Sequence, residues 1–163
     1  MEFVPTKSIL QKASHPQEWF GIDYNMNLYK GCSHGCIYCD SRSNCYQVDN
    51  FDKVRAKQNE IEILNKELKS KRKTGVIGIG AMSDTYNPFE KQYEITKKAL
   101  ELISHYNFGI SIETKSNLIT RDIEIFKKIN SKADVILKFT ITTADDKLSK
   151  IIEPRSMSII RKT

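Results

Sequence analysis

Apolar residues along this chain recur with two different periods that keep exchanging. Between Lys57 and Lys71, Ile61, Leu64 and Leu68 fall at i, i+3 and i+7 among lysines and glutamates, the stripe of an amphipathic helix. Tyr93 to Tyr106 repeats the stripe with Ile95, Ala99, Leu102, Ile103 and Tyr106, and Pro88 upstream suits a loop entering a helix. Thr120 is the expected N-cap of a further helix running through Ile129. Between these stripes lie short runs that read as strands: Asn25–Lys30, the glycine-punctuated Gly75–Gly80, Gly109–Thr114, and Asp134 to about Thr142. Strands alternating with helices imply βαβ units and a parallel sheet.

Two parallel architectures compete, an open doubly wound sheet and a barrel. No Gly-x-Gly-x-x-Gly follows the first strand, which weakens the dinucleotide-binding form. The barrel is favoured by where the unusual polar residues sit. Each strand runs into a distinctive cluster: Cys32 to Cys39, Ser83-Asp84, Thr114-Lys115-Ser116, and Thr140-Ile141-Thr142-Thr143. All four clusters then share one rim, where parallel barrels gather their chemistry. The expected fold is therefore α/β, a partial parallel (β/α) barrel of about four βα units. Residues 1–24 form an N-terminal extension and residues 25–163 the barrel domain.

Composition adds limits. The 163 residues are 39% hydrophobic and 28% charged, an ordinary globular balance that argues against disorder. No apolar run approaches the roughly 18 residues of a membrane span, and the N-terminus has no basic region leading into an apolar one. The expectation is a cytoplasmic protein without membrane contact. The net charge of +6 permits a polyanionic partner, yet 20 of the 26 cations are lysine, whereas base reading favours bidentate arginine. The cations of Lys66–Lys73 read as a solvated helix terminus.

The cysteines carry the chemistry. Cys32, Cys36 and Cys39 form Cys-x3-Cys-x2-Cys, and such crowding in a reducing compartment points to a metal or redox centre. Gly31 and Gly35 are expected to let the backbone approach a bulky cluster. Three thiolates suit a four-iron cluster that keeps one iron open for a chelating small molecule. Cys45 leaves alternatives, a four-thiolate zinc site, a fully ligated cluster, or an unligated, partly buried thiol, and the last is favoured. His34 reads as an exposed loop side chain, with a donor to a cluster sulfide as the alternative. Tyr24, Tyr29, Tyr46 and Tyr86 read as core and rim packing, as does Trp19-Phe20. Glu90 and Arg155 either contact a ligand or pin a loop by an ion pair.

This motif, with Tyr38 just before its last cysteine, resembles the radical S-adenosylmethionine (SAM) enzymes. The flanking text resembles their spore photoproduct lyase-related branch, often labelled DNA repair photolyase. The resembling segments are Trp19-Phe20-Gly21, Asn27–Cys32, Cys39–Ser43, Met82–Glu90, Thr114-Lys115-Ser116 with Arg121-Asp122, and Ile152-Glu153-Pro154-Arg155. The resemblance implies a 4Fe-4S cluster on Cys32, Cys36 and Cys39. It implies SAM as the small molecule on the open iron, cleaved by an electron from a flavodoxin or ferredoxin to methionine and a 5′-deoxyadenosyl radical. By motif position it puts Tyr38 beside the adenine, Ser83 and Asp84 at the methionine amino group, Lys115 near the carboxylate, and Thr140 or Thr142 among polar contacts; without the resemblance, a structural salt bridge is an equal reading of Lys115. DNA is the substrate that the lyase members suggest.

Family members present at least six βα units and continue past Glu-Pro-Arg through a proline-containing segment, whereas here Ser156-Met157-Ser158 follows and the chain soon stops. The expectation is a truncated or frameshifted product, or a half-barrel whose exposed edge favours self-association. A second class of function stays open, an iron-sulfur or zinc module without turnover.

Overall fold

A computed structural model describes residues 1–17 and 21–156. Its main sheet has five strands: β2 (Leu10–Gln17), β3 (Ile22–Met26), β6 (Val76–Ile79), β7 (Gly109–Thr114) and β8 (Val135–Phe139), in that spatial order. β2 runs antiparallel to β3, and every other pair is parallel. A smaller sheet joins β1 (Glu2–Val4), β5 (Arg55–Lys57) and β4 (Tyr29–Lys30). Residues 1–24 thus supply β1, β2 and the start of β3.

Helices α1 (Glu60–Ser70), α3 (Ile95–His105) and α4 (Ile123–Asn130) are the crossovers between parallel strands and pack as a row, α3 touching both neighbours. The apolar stripes explain this. Leu64 and Leu68 of α1, Ala99, Leu100 and Ile103 of α3, and Phe126 and Ile129 of α4 join Ile77, Ile79, Ile110 and Ile112 in one core. Each of these leucine, isoleucine and phenylalanine side chains contributes about 1.5–3 kcal/mol of burial. Two further short α-helices lie among the described residues, α2 (Glu90–Tyr93) and α5 (Asp146–Ile152). Glu94, at φ 50°, breaks the helical run between α2 and α3.

The sheet is open at β8, whose Ile136, Leu137 and Phe139 are exposed, the apolar edge expected of a partial barrel. Among the described residues no helix is long and apolar enough to cross a membrane.

Several local expectations need correction. The first strand does not run from Asn25 to Lys30. It begins at Ile22 and ends at Met26, after which the chain turns so that Tyr29-Lys30 pairs antiparallel with β5. Lys57 belongs to β5, and α1 starts only at Glu60. The fourth strand stops at Phe139, short of Thr142. Thr120 is not a cap: it lies within a 3₁₀ segment, Asn117–Asp122, and its hydroxyl donates back to the Asn117 carbonyl. Ser116 caps that segment, and α4 begins at Ile123. Trp19 and Phe20, read as packing residues, and Met157 and Ser158 lie outside the described residues.

Candidate functional site

The loop from Gly31 to Cys39 is tied down along its length. Cys32 N–H donates to the Phe51 carbonyl at 2.8 Å, and the Ser83 hydroxyl donates to the Gly31 carbonyl at 2.6 Å. Ile37 N–H donates to the Ile152 carbonyl, and Arg155 N–H to the His34 carbonyl, both at 3.0 Å. Gly31 and Gly35 serve this packing. A Cβ on Gly31 (φ +82°) would lie 2.6 Å from the Phe51 carbonyl oxygen, and one on Gly35 (φ +72°) 3.3 Å from the Pro154 ring. The close approach described at these two glycines is to protein.

Asp84 anchors the middle of the rim. Its Oδ2 lies 3.0 Å from His34 Nε2 and accepts from Lys115 N–H at 2.8 Å. Its Oδ1 accepts from the Thr114 hydroxyl at 2.7 Å and from Tyr86 N–H at 2.9 Å. Burial pushes the carboxyl upward, but the His34 contact and these donors outweigh it and hold Asp84 below the usual carboxylate range. One carboxylate therefore joins the cysteine loop, the loop after β6 and the end of β7. His34 is buried, not exposed as expected, because Asp84 draws it inward.

The cavity beside this anchor, about 100 Å³, is lined by Cys32, Cys36 and Cys39 together with Ser83, Asp84, Lys115 and Thr140. All three motif thiols are free. Burial pushes the Cys32 and Cys36 thiols above their ordinary value, partly offset at Cys36 by the charge of Lys115. Lys115 Nζ lies 5.6 Å from the centroid of the Tyr38 ring and 3.8 Å from Glu153 Oε1. The Tyr38 hydroxyl donates to Glu153 and lies 3.0 Å from the Thr142 hydroxyl.

The rim thus unites the residues singled out in the sequence, with distinctions among them. Ser83, Asp84, Lys115 and Thr140 line the cavity, Ser83 and Asp84 also holding hydrogen bonds to Gly31 and Thr114, while Tyr38 stands beside Lys115 outside the lining. Cys45 is exposed, not partly buried as expected, and its Sγ lies 2.8 Å from the Ser43 hydroxyl, away from the cavity lining. Glu90 is fully buried and pins its loop through Arg121, at 3.1 Å. The Arg155 guanidinium lies 3.8 Å from exposed Asp52. Glu153 is the residue that the sequence reading missed individually. Its only signal was its place in the Ile152–Arg155 segment.

Across residues 26–160 the sequence matches the family model described as the radical SAM superfamily. The chain belongs to the radical SAM superfamily. An uncharacterized protein of Methanocaldococcus jannaschii is 34% identical over 152 residues, covering 91% of this chain and 55% of that protein. One of Mycobacterium tuberculosis is 27% identical over 139 residues, 80% of this chain and 40% of its own length. Spore photoproduct lyase complexed with dinucleoside spore photoproduct superposes with a TM-score of 0.64 at 19% identity, over 86% of this chain and 40% of the lyase chain. A double mutant of that lyase with bound AdoMet and the same dinucleoside gives 0.63 at 19% identity, with the same coverage. The radical SAM chain described here therefore shares the lyase fold over less than half of the lyase's length.

Radical SAM proteins normally bind a 4Fe-4S cluster and SAM, and the residues present fit both. Three buried or half-buried thiols face one cavity, and a lysine ammonium stands beside it for a carboxylate. Among the described residues no three Cys, His, Asp or Glu side chains are arranged around a single ion.

Proposed function

We propose that this radical SAM chain holds a 4Fe-4S cluster on Cys32, Cys36 and Cys39 and cleaves SAM reductively. The observation that carries the reading is the placement of all three motif thiols on one cavity at the C-terminal rim of a parallel sheet. When bound and reduced, the cluster supplies an electron to the SAM sulfonium, which yields methionine and a 5′-deoxyadenosyl radical.

This chain's own residues bind, orient and exclude water. Cys32, Cys36 and Cys39 supply thiolates, and burial of Cys32 and Cys36 makes metal ligation the favourable way to hold them deprotonated. Lys115 offers a point charge to the SAM carboxylate, and Thr140 a hydroxyl at the end of β8. The Tyr38 ring, half exposed beside the cavity, borders the adenine. Ser83 and Asp84 line the cavity and offer acceptor oxygens to the SAM amino group, while the same side chains fix Gly31 and His34. The electron comes from a flavodoxin- or ferredoxin-type donor, which together with the free thiols supports a cytoplasmic location. A lesion-type DNA substrate is proposed from fold likeness to the lyase alone.

Anaerobic reconstitution with iron and sulfide, reduction, and addition of SAM test the reading. The expected result is an electron paramagnetic resonance signal that changes on SAM addition, with release of 5′-deoxyadenosine, both abolished in Cys36→Ala. A stable cluster that neither binds nor cleaves SAM would replace it with an electron-transfer module, and a protein loaded only with zinc would overturn it.

A further inference from the structure

Glu153 follows α5 and is 2% exposed, yet among the described residues the side chains of Tyr38, Lys115 and Thr142, from separate parts of the chain, and of nearby Ser156 converge on its carboxylate. The hydroxyls of Tyr38, in the cysteine loop, and Thr142, beyond β8, both donate to Oε1. Lys115 Nζ, at the end of β7, stands 3.8 Å from the same oxygen, and the Ser156 hydroxyl donates to Oε2 at 2.9 Å. The backbone around Glu153 repeats the connection. The Ile152 carbonyl and Arg155 N–H bond to Ile37 and His34, on either side of Cys36, and Pro154 rests on Gly35. A buried carboxylate is tolerated only when paired and hydrogen-bonded, so these partners are held in place by the cost of leaving it alone.

We propose that Glu153 is a positioning residue for the cysteine loop, clasping Tyr38 to Lys115 and Thr142 and thereby fixing where Cys36 and Cys39 present their thiols. Asp84 holds the first half of the loop through His34, and Glu153 holds the second half through Tyr38. The consequence for metal binding rests on the cluster reading above. The clasp itself does not, since all its contacts are between protein groups.

Hydrogen exchange on the cofactor-free chain separates the two. In Glu153→Ala, peptides covering residues 34–39 are expected to exchange about tenfold faster, as expected when opening becomes about 1.4 kcal/mol easier, while residues 95–105 in α3 keep the wild-type rate. Glu153→Gln retains an acceptor for Tyr38 and Thr142 and should restore most of the protection. Tyr38→Phe removes one arm of the clasp with little risk to folding, so it should loosen the loop less, and combined with Glu153→Ala it should add nothing. After anaerobic reconstitution, iron retained per chain should fall in the same order. Unchanged loop exchange in both Glu153→Ala and Tyr38→Phe would overturn the clasp, as would an equal rise in residues 95–105, which would make Glu153 a general stabiliser. If the wild-type chain takes up no cluster while the exchange pattern appears, the cluster reading fails and the clasp stands.

Discussion

Two groups of buried carboxylates lie side by side in this protein, and they are held in different ways. Behind the rim, Glu90 and Asp122 share one guanidinium. Arg121 binds Asp122 with two nitrogens, both at 2.8 Å, and reaches Glu90 Oε2 at 3.1 Å. Tyr29 donates to Glu90, and Tyr86 to Asp122 at 2.9 Å. At the rim, Asp84 has two backbone amides, one hydroxyl and an imidazole, which bears charge only when protonated. Tyr86 belongs to both groups, its N–H on Asp84 and its hydroxyl on Asp122. The Arg121 cation thus sits behind the rim, while Asp84 itself is held by neutral donors and His34. The permanent charge beside the thiols is that of Lys115, whose ammonium faces Glu153 and not Asp84.

The comparison breaks most visibly at Arg121. Replacing it with Met leaves two fully buried carboxylates without their cation, and the expected loss is about 3–5 kcal/mol of stability, read by urea unfolding. Adding Glu90→Gln and Asp122→Asn to that variant should recover much of the loss, because the charge and not the volume is at fault. A loss below about 1 kcal/mol would mean that the network is solvated and the contrast with Asp84 has no energetic content.

Asp84→Ala should cost less, about 2–3 kcal/mol, since the groups it leaves unpaired are neutral donors and one imidazole. Its distinguishing effect is local: exchange in residues 31–36 should rise more than in Arg121→Met, with the Gly31 and Ser83 tie still present. Thr114→Val removes one arm and one acceptor for Ser116 N–H, and about 1 kcal/mol is expected by the same unfolding measurement.

How much of this was readable from the sequence follows from range of interaction. The helix stripes and the apolar strands are local periodicities, so Leu64 with Leu68, and Ile110 with Ile112, announced their burial in advance. Cys32, Cys36 and Cys39 were legible because their chemistry is rare and their spacing short. β4 and β5 were missed because their pairing joins residues about 25 positions apart over two or three residues each, too short for any period. Thr120 carried a cap's side chain at a position where Ser116 had already begun the turn. His34 and Glu153 were misjudged or missed for one reason: a polar residue's burial is decided by its partners, and Asp84 and Tyr38 lie 50 and 115 residues away in sequence.

The smallest effect is the sharpest test of the contrast, because it depends on the sign of one ionisation. Asp84 is held below its ordinary value, so the folded state binds its proton less readily than the unfolded chain does. Its contribution to stability is therefore full above the unfolded value of about 3.9 and fades as pH falls through the folded one. Measured against Asp84→Asn, the wild-type advantage should shrink as pH falls below about 4, which a urea series at each pH resolves. The shrinkage should be less than the full cost of Asp84→Ala, since a protonated carboxyl still accepts from Thr114 and Tyr86 N–H. An advantage that instead grows as pH falls below about 4 would mean that Asp84 is held protonated by burial. The rim would then depend on a neutral acid, and its difference from the Arg121 network would be one of charge state, not only of partners.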